Sequence, residues 1–279
     1  MGEVVFITWR ESVEALLVVG ILRAWLSERP DRAWGLRWLW GGVALGLAAA
    51  LGLALLMLGA ASVLDGEAGE WFQAAMVLSA AALILQMVWW MRRHGRALRQ
   101  DLEHQAAGQL ARASGWGIAL LAALAIAREG SETVIFLYGV AGRHAGAGQL
   151  GFAASALLGL GLALASFWLL QSGRRWLSWR SFFRISEALL LLLAASLWVN
   201  AVDRLISLDV LPTLVDPLWN SADWLDDSGA VGGLLAALTG YRAQPALITV
   251  LAYAGFWLGV AGLLRAGAPA RVAPVRADR

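Results

Sequence analysis

Arg10-Glu11-Ser12-Val13-Glu14 and Arg128-Glu129-Gly130-Ser131-Glu132 are two charged strings set inside long apolar stretches of a 279-residue chain. An ionisable side chain at the centre of a membrane-spanning helix costs roughly 2.5–3.5 kcal/mol on insertion scales. Six such groups, summed naively, cost on the order of 15–20 kcal/mol, more than the whole stability of about 5–15 kcal/mol of a typical domain. The charges must therefore face one another, face water or hold an ion.

The rest of the chain makes the apolar setting plain. Hydrophobic residues make up 59% of it, charged residues 15%, and the mean hydropathy is +0.65. Soluble domains average about 45–50% apolar and 25% charged. Apolar runs long enough to cross a hydrocarbon core of roughly 30 Å recur throughout. Seven are read, at residues 4–22, 38–62, 71–91, 115–140, 150–172, 185–204 and 245–264. The expected fold is all-α: one polytopic membrane unit of about seven transmembrane helices spanning 1–279. The first run has an acidic start at Glu3 and charges within its core, unlike a signal peptide. Cysteine is absent, which excludes disulfides, thiolate metal sites and cysteine nucleophiles.

Every basic residue is arginine, and the arginines alternate along the loops. Arg23, Arg29, Arg32 and Arg37 follow the first run. Arg92, Arg93, Arg96, Arg99 and Arg112 follow the third, Arg174, Arg175, Arg180 and Arg184 the fifth, and Arg265, Arg271, Arg276 and Arg279 the last. The intervening loops carry Asp65, Glu67 and Glu70, then Arg143 alone, then five aspartates against Arg242. The positive-inside rule reads this as N-terminus outside and C-terminus inside. The charge is placed by topology, so the pI near 9.6 does not point to nucleic acid as a partner. Trp34, Trp38, Trp71, Trp116, Trp176 and Trp179 lie at span ends and read as interface anchors. Gly42/Gly46 and Gly255/Gly259 have the small-xxx-small spacing of close helix packing.

The motif recurs from Arg10 to Arg128, an interval of 118 residues, and the spans after each copy have comparable lengths. With the arginine pattern this predicts a three-plus-three inverted repeat, with a seventh helix added. Repeat one covers about 1–113 and repeat two about 114–210. The outer loop and last helix cover about 211–265, and a cytoplasmic tail 266–279. Inverted repeats place a substrate site near the midplane where the halves meet.

Within a helix, positions i, i+3 and i+4 share a face. Glu11 and Glu14 therefore lie together with Arg10 beside them, and Glu129, Glu132 and Arg128 likewise. Facing each other, the triplets make four carboxylates partly neutralised by two guanidiniums, an all-oxygen site for a hard cation. Thr8, Ser131 and Thr133 are candidate extra oxygen ligands. The bland alternative is an ionic brace between helices. Each arginine precedes its i+4 acid, the weaker orientation for a local pair, so the arginines are expected to act across the interface or as counter-charges. Asp223, Asp226 and Asp227 are candidates for concentrating cations at an outer entrance, before a Gly-rich stretch (229–239) too short to span. Gln86, Glu187, Asn200 and Asp203 are candidate path-lining groups. His94, His104 and His144 fall in loops, which argues against haem or a histidine metal site.

On these residues the chain resembles the oxidase-dependent iron permeases, the family of the fungal high-affinity iron permease and the bacterial EfeU-type transporters. The resemblance rests on Arg10/Glu11/Glu14 and Arg128/Glu129/Glu132 in the first and fourth spans. It extends to Phe183-Arg184-Ile185, Leu218-Trp219-Asn220, Trp224-Leu225, Gly232, Leu234-Leu235, Gly240-Tyr241 and Pro245. It implies an inner-membrane permease carrying iron on the two Arg-Glu-x-x-Glu motifs, with iron as substrate and no resident cofactor. Its partners would be the lipid bilayer and a separate periplasmic oxidase or iron-delivery protein. Asn220 stands where relatives often carry Asp. No nucleophile–base constellation or nucleotide loop is visible, so no enzyme is expected. The alternatives are a transporter of another divalent ion such as manganese or lead, and a membrane-embedded iron sensor or scaffold that moves nothing.

Overall fold

The computed structural model describes residues 1–64, 66–94, 115–141, 148–171 and 179–266. Among these residues the only regular secondary structure is helix. The helices are α1 (Gly2–Ser27), α2 (Arg32–Val63), α3 (Glu67–His94), α4 (Gly115–Ala141), α5 (Gln149–Gln171), α6 (Trp179–Ser207), α7 (Ala230–Thr239) and α8 (Leu247–Ala266).

Five of them, α2, α3, α5, α6 and α8, are long and apolar enough to cross a membrane. The two other long helices, α1 and α4, are the ones that carry the motifs. At 26 and 27 residues they have the length to span, and it is their charges that set them apart.

Burial separates core helices from lipid-facing ones. In α6, 67% of the apolar stretch is buried, against 11–17% in α2, α5 and α8. The outward leucines of α2 (Leu47, Leu51, Leu55, Leu58) and α5 (Leu157, Leu160, Leu164) are exposed, as a surface solvated by acyl chains requires. The largest apolar cluster joins α1, α3, α4, α6 and α8 through Val4, Ile7, Ile84, Phe136, Leu193 and Phe256.

The most extensive helix pairs are α2 with α4 and α1 with α5. Small residues bring both pairs close. A Cβ on Gly46 would lie 2.7 Å from Ala123 O, 2.8 Å from Ile126 Cβ and 3.0 Å from Ala127 N. A Cβ on Gly159 would lie 2.6 Å from Val5 O, 2.9 Å from Thr8 Cβ and 3.1 Å from Trp9 N. Shifted by the motif interval, Val5, Thr8 and Trp9 become Ala123, Ile126 and Ala127. One turn earlier, Gly42 abuts Ala119 and Ser155 reaches Met1, again equivalent positions. The glycine spacing thus has the packing role expected for Gly42/Gly46. Gly255 and Gly259 differ: both are exposed, and neither would meet a neighbour among the described residues.

α3 and α6 form the third pair. Glu70 near the start of α3 accepts from Arg204 Nη1 near the end of α6 at 2.7 Å. At the opposite end, Arg92 of α3 pairs with Glu187 of α6.

Between α6 and α8 the chain folds back on itself. Leu218 N donates to Pro245 O at 2.8 Å, Ser221 N to Ala243 O at 2.9 Å, and Tyr241 Oη to Leu225 O at 2.9 Å. The Gly-rich stretch is the ten-residue α7, which ends at Gly240 in the left-handed conformation (φ 77°). Ser196 Oγ of α6 donates to Ala236 O at 3.1 Å, seating α7 on α6.

Candidate metal centre

α1 carries its motif at mid-helix with the arginine turned fully inward. Arg10 is 0% exposed. Its Nη1 donates to Glu11 Oε1 at 2.6 Å and its Nη2 to Glu14 Oε1 at 2.5 Å. Across the interface, Arg128 of α4 is 43% exposed, with Nε 3.1 Å from Glu132 Oε1 and 3.9 Å from Glu129 Oε1. Both arginines therefore pair with acids of their own helix. The i+4 preference is worth only a few tenths of a kcal/mol on an exposed helix. At a buried guanidinium, the cost of an unpaired charge dominates.

The carboxylates do converge. One oxygen from each of Glu11, Glu14 and Glu129 lies within 4.8 Å of the other two. Glu132 stands just outside this trio, near enough for its charge to act on Glu11 and Glu14. Glu11, Glu129 and Glu132 are buried. Each has an Oε2 without a hydrogen-bond donor among the described residues. A buried acceptor left without a donor costs about 1–3 kcal/mol, more when charged. Hard carboxylate oxygens suit hard or borderline cations and disfavour copper(I).

Of the other candidate ligands, Thr8 Oγ1 is buried without a hydrogen bond among the described residues. Ser131 and Thr133 donate to the carbonyls of Arg128 and Glu129 at 2.8 and 2.7 Å, as helix side chains commonly do. Gly130 has a packing reason: a Cβ there would lie 2.5 Å from Ala50 Cβ.

A cavity of about 200 Å³ is lined by Leu83, Gln86, Met87, Trp90, Arg128 and Glu132. Gln86 thus shares a cavity with one carboxylate of the motifs, Glu132. Glu187 is instead taken by Arg92. Asn200 and Asp203 hold Arg242, whose Nη2 and Nε donate to them at 2.7 and 2.9 Å, and Thr249 Oγ1 donates to Asp203 at 2.9 Å. The aspartates of the long segment have local work. Asp226 accepts from Ser228 N and Oγ, and these bonds hold its carboxyl below the usual range. Asp227 accepts from Ala243 N at 3.3 Å. Asp223 is exposed. His104 and His144 lie outside the described residues, as does the side chain of His94.

Two features escape a reading of the motifs alone. Glu3 is fully buried, and its spacing to Ile7 and Arg10 puts it on the inward face of α1. Trp90, which no motif includes, has its ring 5.0 Å from the Arg128 guanidinium. The Glu3-Ile7-Arg10-Glu14 periodicity would have flagged the first. Nothing local flags the second.

The Iron permease FTR1 family matches residues 1–268. The chain belongs to this family. Among its relatives are an uncharacterized protein of Archaeoglobus fulgidus, 30% identical over 272 residues (95% of this chain, 94% of the relative), and the ferrous iron permease EfeU of Escherichia coli O6:H1, 27% identical over 245 residues (86% and 87%). The EfeU of Yersinia pestis is 25% identical over 249 residues (88% and 87%). No solved structure matches the chain. This FTR1-family protein is a multi-pass α-helical protein of the cytoplasmic membrane, a member of a family of permeases rather than enzymes.

Proposed function

We propose that this chain moves iron across the cytoplasmic membrane through a carboxylate site made by its two Arg-Glu-x-x-Glu motifs. Glu11, Glu14, Glu129 and Glu132 are the metal ligands, and Arg10 and Arg128 the counter-charges. The observation that carries this is the meeting of α1 and α4 carboxylates within 4.8 Å, with buried oxygens lacking donors. If all four acids are ionised, two guanidiniums leave the site two charges negative, which a divalent ion balances.

The transport architecture is seven spans, N-out and C-in, with α1–α3 and α4–α6 as inverted repeats and α8 added. The repeat boundaries are about 1–113 and 114–210. The outer segment and last helix follow at 211–265 and the tail at 266–279. Three sets of contacts support the repeat. Gly46 and Gly159 meet equivalent positions of the opposite motif helix. Gly42 and Ser155 do the same one turn earlier. The α3/α6 pair carries a Glu–Arg pair at each end. Asp223, Asp226 and Asp227 then sit on the outer face, where acidic charge raises local cation concentration. A separate periplasmic oxidase or delivery protein would hand over the ion.

The relatives' names make ferrous iron the first ion to test. Purified protein in sealed vesicles should accumulate radiolabelled iron, and Glu14→Gln or Glu129→Gln should cut the initial rate at least ten-fold while folding normally. Binding without accumulation would make the chain a sensor or scaffold. Stronger competition by manganese or lead than by unlabelled iron would reassign the substrate. Wild-type rates in both glutamine variants would defeat the carboxylate site.

A further inference from the structure

The two motifs are alike in sequence and unlike in surroundings. Arg10 is sealed, with two short bonds to its acids, and its Nη2 also meets Met91 Sδ of α3 at 3.9 Å. Arg128 is 43% exposed, makes longer contacts with Glu132 and Glu129, and lies over the Trp90 ring at 5.0 Å. It also borders the cavity of about 200 Å³ that Gln86, Met87 and Glu132 help to line. Arg10 is thus a sealed charge, whereas Arg128 is held between Glu132 and the Trp90 face at the edge of a cavity.

A cation arriving among Glu11, Glu14 and Glu129 is repelled by any guanidinium lodged there, and in a low-dielectric site such repulsion is strong. An indole face attracts a guanidinium and is the best of the aromatic faces at doing so. The exposed Gln86 amide and the two charged groups make the cavity polar enough to hold water, which would solvate the arginine there. We infer that Trp90 is a positioning residue of the ion site: its ring holds the Arg128 guanidinium at the cavity wall, bonded to Glu132 but 3.9 Å from Glu129, and so keeps the arginine from lodging among the carboxylates that take the cation. This rests on the carboxylate site proposed above.

The test is anaerobic titration of the full-length protein in detergent with ferrous ion, alongside vesicle uptake. Trp90→Leu removes the face while staying apolar, and should raise the Kd for ferrous ion roughly three- to ten-fold. Trp90→Tyr keeps a face, should stay within about two-fold of wild type, and keeps the inference readable should the leucine variant not fold. In an Arg128→Gln background, Trp90→Leu should have no further effect. An unchanged Kd in Trp90→Leu overturns the inference, as does a tyrosine variant as weak as the leucine one, or an undiminished loss in the Arg128→Gln background. Ferrous binding that responds to Trp90 without any vesicle uptake upholds this inference and sinks the transport reading instead. No ferrous binding by the wild type sinks both.

Discussion

A Cβ added at Gly46 or at Gly159 would meet three equivalent positions of the helix each packs against, at corresponding distances that agree within 0.1 Å. Each contact ends on the residue just before a motif arginine, Ala127 in one case and Trp9 in the other. A close approach of the helices is therefore tied to the place where the charges lie.

Gly46→Ala and Gly159→Ala should each be destabilising, by about 1–3 kcal/mol, because the added methyl would lie 2.6–2.7 Å from a backbone carbonyl oxygen that cannot turn away. Gly255→Ala and Gly259→Ala, which meet open space, should stay within about 0.5 kcal/mol. Thermal unfolding in detergent reads all four. Equal effects across the set would contradict the packing assigned here.

Gly130→Ala should be rescued by its neighbour. The new methyl would lie 2.5 Å from Ala50 Cβ, so Ala50→Gly in the same chain should recover most of the loss. Contacting residues couple by about 0.5–3 kcal/mol in double-mutant cycles. Strict additivity would mean the two do not share that space.

The arginines should not be equivalent. Arg10→Gln leaves Glu11 and Glu14 without their buried partner and should cost about 3–5 kcal/mol. Arg128→Gln, at a half-exposed group, should cost about 1 kcal/mol or less. Comparing the unfolding temperatures of the two variants decides it, and a larger loss for Arg128→Gln would refute the assignment of Arg10 as the sealed charge.

Because the chain has no cysteine, orientation can be read with single introduced thiols. Asp223→Cys should react with a membrane-impermeant maleimide in intact cells, and Arg29→Cys only after the membrane is opened. The reverse pattern would invert the topology.

How far the sequence carried is best judged residue by residue. Helix class, the five apolar spans and the pairing of the two charged strings were legible, because hydrophobic length and buried charge are local properties. Gly255/Gly259 shows the limit: its spacing equals that of Gly42/Gly46, but a groove needs a ridge to fill it, and α4 supplies one only to the latter. Arg10 and Arg128 differ for the same reason, since α3 offers a methionine to one and an indole beside a cavity to the other. Asp226 was legible only as an acidic group of an outer segment; that both its oxygens accept from Ser228 depends on the local turn.

The clamp of Arg242 on Asp203 and Asn200, with α7 seated on Ser196, makes the segment between α6 and α8 a passenger of α6. A fluorophore or spin label on that segment would then register rigid-body displacement of the most buried span. Distance measurements during turnover could follow that helix without disturbing its interior.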